Sequence, residues 1–290
     1  MSEKIIDLHT HTLFSDGRES IENLLKMAQE RNIEILSITD HDSIYVYDVL
    51  KENNSIKIIT GVELSAFYKG NIIHVLGYGF DVNNENMRRY CDDIFETSLK
   101  RTYEYLKILD KYNIVIPDTI IKEHIENKYP LQYERLFSIM YKLNIPFDRK
   151  TLENEFLVIK KKIKMPYLKI SEAIKLINDA NGYAIVAHPY KYKWDDVKGN
   201  LDFLISQGIE GIECYHSDAK KEFMDMLVEY CKSNSLLISG GSDAHKYYKN
   251  TDNKRNLGYG TMNNLSINKD DVSVKLIKLA KSFDSIKTHK

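Results

Sequence analysis

Short runs of β-branched and aliphatic residues recur along the chain, and each gives way to polar residues and then to helical spacing. The run 4–8 leads to His9-Thr10-His11, the run 35–39 to Asp40-His41-Asp42, and the run 56–62 to Glu63. The run 72–76 carries His74, and 184–187 ends at His188-Pro189. The run 209–214 ends before His216, and 236–239 before Gly240-Gly241-Ser242-Asp243-Ala244-His245. Continuous apolar runs of this length fit strands covered on both faces of a parallel sheet. Amphipathic helical patterns at 20–31, 171–181 and 219–233 lie between them. This alternation predicts an α/β fold, and in (β/α) barrels chemistry gathers where strands end. Seven of the nine histidines fall at such positions, leaving only His124 and His289 outside.

From about 83 to 164 the alternation stops, and only helical patterning remains, at 87–112, 117–128, 131–143 and 148–156. The expected organisation is therefore a barrel domain from 1–82 and 165–290, interrupted by a helical insertion at 83–164. Such an excursion is most economically a cap beside the active-site mouth.

Composition narrows the class. With 290 residues, 43% hydrophobic and 29% charged, the chain can build a sizeable core. Lys and Arg total 41 against 42 Asp and Glu, so no global charge draws it to nucleic acid or anionic membranes. No stable duplex partner is expected. Cys91, Cys214 and Cys231 form neither a disulfide framework nor a CxxC site. No signal-peptide core and no apolar span of about 20 residues is evident, so a soluble, cytoplasmic protein is expected.

The candidate chemistry is metal binding. His9 and His11, one residue apart on a strand, point to the same face and can grip one ion. A lone His-x-His is weak, but His41, Glu63, His74, His188, Asp243 and His245 follow in the same positional context. An imidazole and carboxylate set without thiolates suits Mn²⁺, Fe²⁺ or Zn²⁺. About nine candidate ligands exceed one coordination sphere, so two or three ions are implied. His216, not needed for that count, reads either as a group that hydrogen-bonds the phosphate or protonates the leaving oxygen, or as a loop histidine near the mouth. Arg18 and Lys191 stand just after metal motifs and could contact a second phosphate or a carboxylate; the alternative is solvated surface charge. Asp40 and Asp42 could orient the His41 ring or cap the following helix. The basic run 160–164 reads as a solvated turn, and Tyr103, Tyr105, Phe137 and Tyr141 as packing of the insertion.

Ile6-Asp7-Leu8-His9-Thr10-His11 with Ser15-Asp16-Gly17, Thr39-Asp40-His41-Asp42, Gly61-Val62-Glu63, Ala187-His188-Pro189 and Gly241-Ser242-Asp243-Ala244-His245 resemble, in order, the motifs of the PHP (polymerase and histidinol phosphatase) family. The resemblance covers about 5–80 and 165–260. It implies a distorted (β/α)7 barrel with an α-helical insertion and a trinuclear metal site. His9, His11, Glu63 and Asp243 would hold the first ion; Glu63 would bridge to a second, shared with His74 and His188. Asp16, His41 and His245 would hold the third. Some members carry His at the Asp16 position, and the Asp form with a helical insertion resembles the subgroup acting on nucleotides and short RNA. Relatives with this insertion carry an Arg/Gly-Pro-His-like segment; here the region is Tyr129-Pro130-Leu131-Gln132-Tyr133-Glu134-Arg135, without the histidine. Arg135 could take over the anion contact from the next helical turn.

The expected activity is hydrolysis of phosphomonoesters of nucleotides, nucleoside bisphosphates or short oligonucleotides by metal-bridged hydroxide. Asp243, Glu63 and His216 are the expected catalytic groups, and no Ser or Cys nucleophile motif is evident. Histidinol-phosphate or another small-metabolite phosphatase is an alternative, which the long insertion weighs against. A non-catalytic metal-binding module is another, and the complete ligand set weighs against it. Metal-dependent C–N hydrolysis on a related barrel would typically use a lysine or another ligand order.

Overall fold

Each apolar run builds one strand of a closing sheet. The computed structural model describes residues 4–51, 56–246, 255–258, 260–261 and 265–281; His289 lies outside them. The first third comprises β1 (Ile5–Asp7), α1 (Ile21–Glu30), β2 (Ile33–Ile38), α2 (Val46–Val49), β3 (Lys57–Tyr68) and β4 (Asn71–Tyr78). Four helices follow: α3 (Glu85–Lys111), α4 (Asp118–Glu126), α5 (Tyr133–Lys142) and α6 (Arg149–Lys162). The alternation then resumes with β5 (Leu168–Lys169), α7 (Ile170–Asp179), β6 (Tyr183–Val186), a 3₁₀ turn (Pro189–Tyr192), α8 (Val197–Ser206), β7 (Gly211–His216), α9 (Lys221–Ser233) and β8 (Leu237–Gly241). A two-residue pair, β9 (Arg255–Asn256) and β10 (Gly260–Thr261), and the short α10 (Val274–Ile277) complete it.

The main sheet runs β1-β2-β3-β4-β6-β7-β8, with β5 beside β3. Its ends meet: the Leu8 amide donates to the Gly240 carbonyl at 3.2 Å, the Asp243 amide to His9 at 2.8 Å, and Thr10 bridges Ala244 in parallel. The fold is thus a distorted seven-stranded α/β barrel carrying a block of helices between β4 and β5. Two apolar cores result. Ile6, Leu8, Ile35, Ile59, Leu76, Tyr78 and Ile185 fill the interior, plugged at one end by Leu265, Ile267 and Leu276. The outer faces pack Leu36, Ile38 and Val62 against Leu24, Ile174 and Ile177 of the helices.

One strand departs from the parallel sheet that the apolar runs predict. β4 is antiparallel to both β3 and β6. Lys69 and Gly70 form a two-residue turn with φ +47° and +79°, the left-handed pair of a type I′ hairpin. That turn lets β3 extend to Tyr68, so Glu63 sits within a strand rather than after one. Lys160, Lys161 and Lys162 close the last turn of α6, where basic charge suits the helix dipole, instead of forming a loop.

The helices α3–α6 have their own core around Tyr105, Leu109, Leu136, Phe137, Met140, Leu152 and Phe156. The first half of α3 belongs elsewhere: Met87, Tyr90, Cys91 and Ile94 pack into the outer core of the barrel. A single continuous helix therefore carries both packings. No helix among the described residues is long and apolar enough to cross a membrane.

The barrel seam leaves no room for a side chain at Gly241, where an added Cβ would press on the His9 amide and Cβ. Gly241→Ala is expected to cost about 2–3 kcal/mol through this overpacking, read as a lowered midpoint in urea unfolding. A cost near zero would show that the seam is slack.

Candidate metal centre

Glu63, fully buried within β3, is the hub. Its Oε1 lies 2.8 Å from His74 Nδ1 and 2.7 Å from His188 Nε2. Its Oε2 lies 3.0 Å from His9 Nε2, 3.2 Å from His11 Nε2 and 3.3 Å from His41 Nδ1. Asp243, 1% exposed, faces the same space: Oδ1 is 3.1 Å from His11 Nε2 and 3.4 Å from His9 Nε2. Asp16 stands at the rim, its Oδ2 3.1 Å from His245 Nε2 and its Oδ1 4.0 Å from His41 Nε2. Three groups of donor atoms are close enough to share an ion: His9, His11, Glu63 and Asp243; His41, Glu63 and His74; and His11, Asp16, His41 and His245. His41 thus borders two of these positions, whereas the motif resemblance assigns it to one.

The second layer fixes the rings. His9 Nδ1 lies 2.8 Å from buried Glu213 Oε1, leaving Nε2 for the centre, and Glu213 Oε2 accepts the His188 amide at 2.6 Å. His245 Nδ1 faces the Asp243 carbonyl at 2.9 Å, again leaving Nε2 inward. Asp40 accepts from the Thr12 amide, Thr12 Oγ1 and Ser15 Oγ, so it orders the loop after His11 and neither orients His41 nor caps α2. Asp42 Oδ1 accepts from the Ser65 amide and from Tyr90 of α3, tying the helical block to the site loop. His188 at φ +29° and Asp243 at φ +52° hold rare backbone conformations that only a well-determined surrounding sustains.

The expected substrate contacts are arranged differently. Arg135 turns its guanidinium onto three backbone carbonyls, Leu13, Ser15 and Gly17, each at 2.8 Å. It pins the Asp16 loop from α5 in place of contacting an anion, because a half-buried guanidinium takes the carbonyls in reach. Lys191 Nζ donates to Asp243 Oδ2 at 2.7 Å, inside the centre. Arg18 is exposed at the rim. His216 is buried at the end of β7; its Nδ1 accepts the Asp218 amide, so Nε2 carries the proton toward Asp243 Oδ2 at 3.2 Å. That makes it a group that holds Asp243. His124 sits in α4 against the Ile120 carbonyl.

Burial disfavours charge throughout, and the carboxylates decide which rings protonate. Burial works against His11, yet hydrogen bonds to Asp243 and Glu63 hold it up at about 10. Burial prevails at His41 and His188, pushed down to about 3 and about 4. Burial would raise Glu63, but His41, His9 and His74 carry it well below the ordinary carboxylate range. Neutral His41 and His188 each have a buried Nδ1 without a hydrogen-bond partner among the described residues. Ionised carboxylates and lone-pair nitrogens meeting in a dry space fit divalent cations chemically.

Glu213 and Tyr192 escaped sequence reasoning. A carboxylate within the apolar run Ile212-Glu213-Cys214 was the available signal. Tyr192, whose hydroxyl accepts the His74 amide at 2.7 Å, gave none.

Residues 7–112 match the PHP domain. A 5′-3′ exoribonuclease from Haemophilus influenzae is 28% identical, over 83% of this chain and 90% of its own. The phosphoribosyl 1,2-cyclic phosphate 1,2-diphosphodiesterase of Eggerthella lenta is 26% identical, over 83% and 94%. Among solved structures, a Bifidobacterium adolescentis protein described as a metal-dependent phosphoesterase superposes with a TM-score of 0.74 at 21% identity, covering 98% of this chain and 99% of that one.

Glu213→Gln should weaken Mn²⁺ binding by about 10–100-fold, measured by calorimetric titration; unchanged affinity would remove Glu213 from the site. In metal-free protein, the His11 contribution is complete below its ordinary 6.5 and drains as pH rises toward about 10. The His41 and His188 contributions are complete above 6.5 and drain as pH falls toward about 3 and about 4. Thermal stability should therefore peak near 6.5, the shared ordinary value; a Tm rising steadily from pH 5 to 9 would contradict this balance.

Proposed function

We propose that this chain, whose residues 7–112 match the PHP domain, is a metal-dependent phosphoesterase hydrolysing phosphomonoesters of nucleotides, nucleoside bisphosphates or short oligonucleotides. The observation that carries the reading is the meeting of His9, His11, His41, His74 and His188 on the single carboxylate of Glu63. The relatives act, by their names, on RNA ends or on ribosyl phosphates, which supports the substrate class.

Two or three ions of Mn, Fe or Zn would be held, the first by His9, His11, Glu63 and Asp243 and the second by Glu63, His74 and His188. The third would be held by Asp16, His41 and His245. Bound there, divalent cations supply an acidified water and offset charge on non-bridging phosphate oxygens. The chain's own part is positioning. Glu63 joins two ion positions, His216 and Lys191 hold Asp243 in place, and Glu213 holds His9. Residues 83–164 serve as the cap. A cavity of about 180 Å³ lies between Asp16, His41 and His74 on one side and Ile94, Phe95 and Gln132 of that segment on the other. A phosphate at the centre would lead its nucleoside into this space.

Phosphate release with added Mn²⁺ tests the proposal on 5′-mononucleotides, 3′,5′-bisphosphates, short 5′-phosphorylated RNA and histidinol phosphate. Release from the nucleotide substrates is expected, and Asp243→Asn should reduce it by roughly 10³-fold with the circular dichroism spectrum retained. Turnover of histidinol phosphate alone would replace the nucleotide reading, and near-normal activity in Asp243→Asn would refute the assigned centre.

A further inference from the structure

A second and larger cavity opens beside Lys191, with a volume of about 590 Å³. It shares no lining residue with the space under the helices, and its size is that of a ligand site. Its walls are the Lys69–Gly70 hairpin tip and the segment that follows His188. Tyr192 and Trp194 lie with ring centroids 5.0 Å apart at 33°, and Tyr68 stands 6.1 Å from Trp194. Three lysines, Lys69, Lys191 and Lys193, face two aspartates, and one of those, Asp196, is turned onto the Gly199 amide as the cap of α8. The cavity is joined to the metal centre through two residues. Lys191 reaches Asp243 at 2.7 Å, and the Tyr192 hydroxyl accepts the His74 amide.

We propose that this cavity is a second subsite, binding the nucleotides of a single-stranded oligonucleotide that lie beyond the phosphate held at the metal centre. The inference rests on the phosphoesterase reading for the identity of its ligand. A substrate with one organic group needs one cavity beside the cluster, whereas a chain of nucleotides continues past the reacting phosphate. Aromatic faces interleaved with lysines fit that continuation, since every base offers a face to stack and every linkage a negative charge. The core of a protein–protein interface is depleted of charged residues, whereas lysines and aspartates line this cavity.

Trp194 is the chain's single tryptophan, so the site carries its own reporter. Tryptophan fluorescence is titrated with a slowly hydrolysed 5′-phosphorylated phosphorothioate tetra-adenylate, with 5′-AMP, and with hexaglutamate. Saturable quenching by the tetranucleotide, with at least about fivefold weaker response to 5′-AMP, is expected from stacking of one further base. Lys193→Glu, at an exposed position, should raise the tetranucleotide Kd by about tenfold. Equal responses to tetranucleotide and 5′-AMP, no quenching, or a Kd within twofold in Lys193→Glu would overturn the subsite. Equal quenching by hexaglutamate would overturn it in favour of an acidic protein partner. Loss of phosphate release from every substrate with the selective quench intact would count against the phosphoesterase reading and support the subsite.

Discussion

Three carboxylates, Glu63, Glu213 and Asp243, sit in an interior that water does not reach, and the rest of the site is arranged to satisfy them. A buried carboxylate without partners is among the most costly features a fold can contain. Here each oxygen is met by imidazole nitrogens, a lysine or a backbone amide. The partners arrive from many strands because no single strand can place five rings around one carboxylate. The barrel supplies that convergence, and its closing bonds run through the ligand segments: His9 and Asp243 are themselves joined across the seam. Fold closure and assembly of the candidate site thus share contacts at this end of the molecule.

Much of this was legible in the sequence, for a physical reason. Strands covered on both faces must be apolar throughout, so β1, β2, β6, β7 and β8 announce themselves as runs, and a histidine or carboxylate at the end of such a run stands out. The α/β barrel and the helical character of 83–164 followed from that contrast. The direction of β4 did not, because an antiparallel strand buried on both faces has the same composition as a parallel one. Only the Lys69-Gly70 pair marked the reversal, and Lys is not a residue that advertises positive φ.

The roles of charged side chains were harder to read. Arg135 turns its guanidinium onto main-chain carbonyls of the loop between β1 and α1, and Asp40 accepts from the Thr12 amide and from the Thr12 and Ser15 hydroxyls of the same loop. Sequence spacing carries no trace of the Arg135 contacts, since their partners are backbone atoms common to every residue. Glu213 differs: a lone acid in an apolar strand is costly enough that it had to have a purpose, and its pairing with His9 supplies one.

The reversal at Lys69-Gly70 also governs how the helices reach the site. Because β4 runs back down the barrel, the chain leaves Tyr78 at the end remote from the metal centre. Helix α3, with 27 residues, spans about 40 Å at 1.5 Å per residue. It climbs the barrel wall from Met87, passes the centre at Ile94 and Phe95, and emerges to anchor the remaining helices at Tyr105 and Leu109. The helical block is thus mounted on a rigid mast footed in the barrel's outer packing rather than hung on flexible loops. A side chain altered at the foot of that mast would shift the helical block beside the candidate site from a full barrel height away.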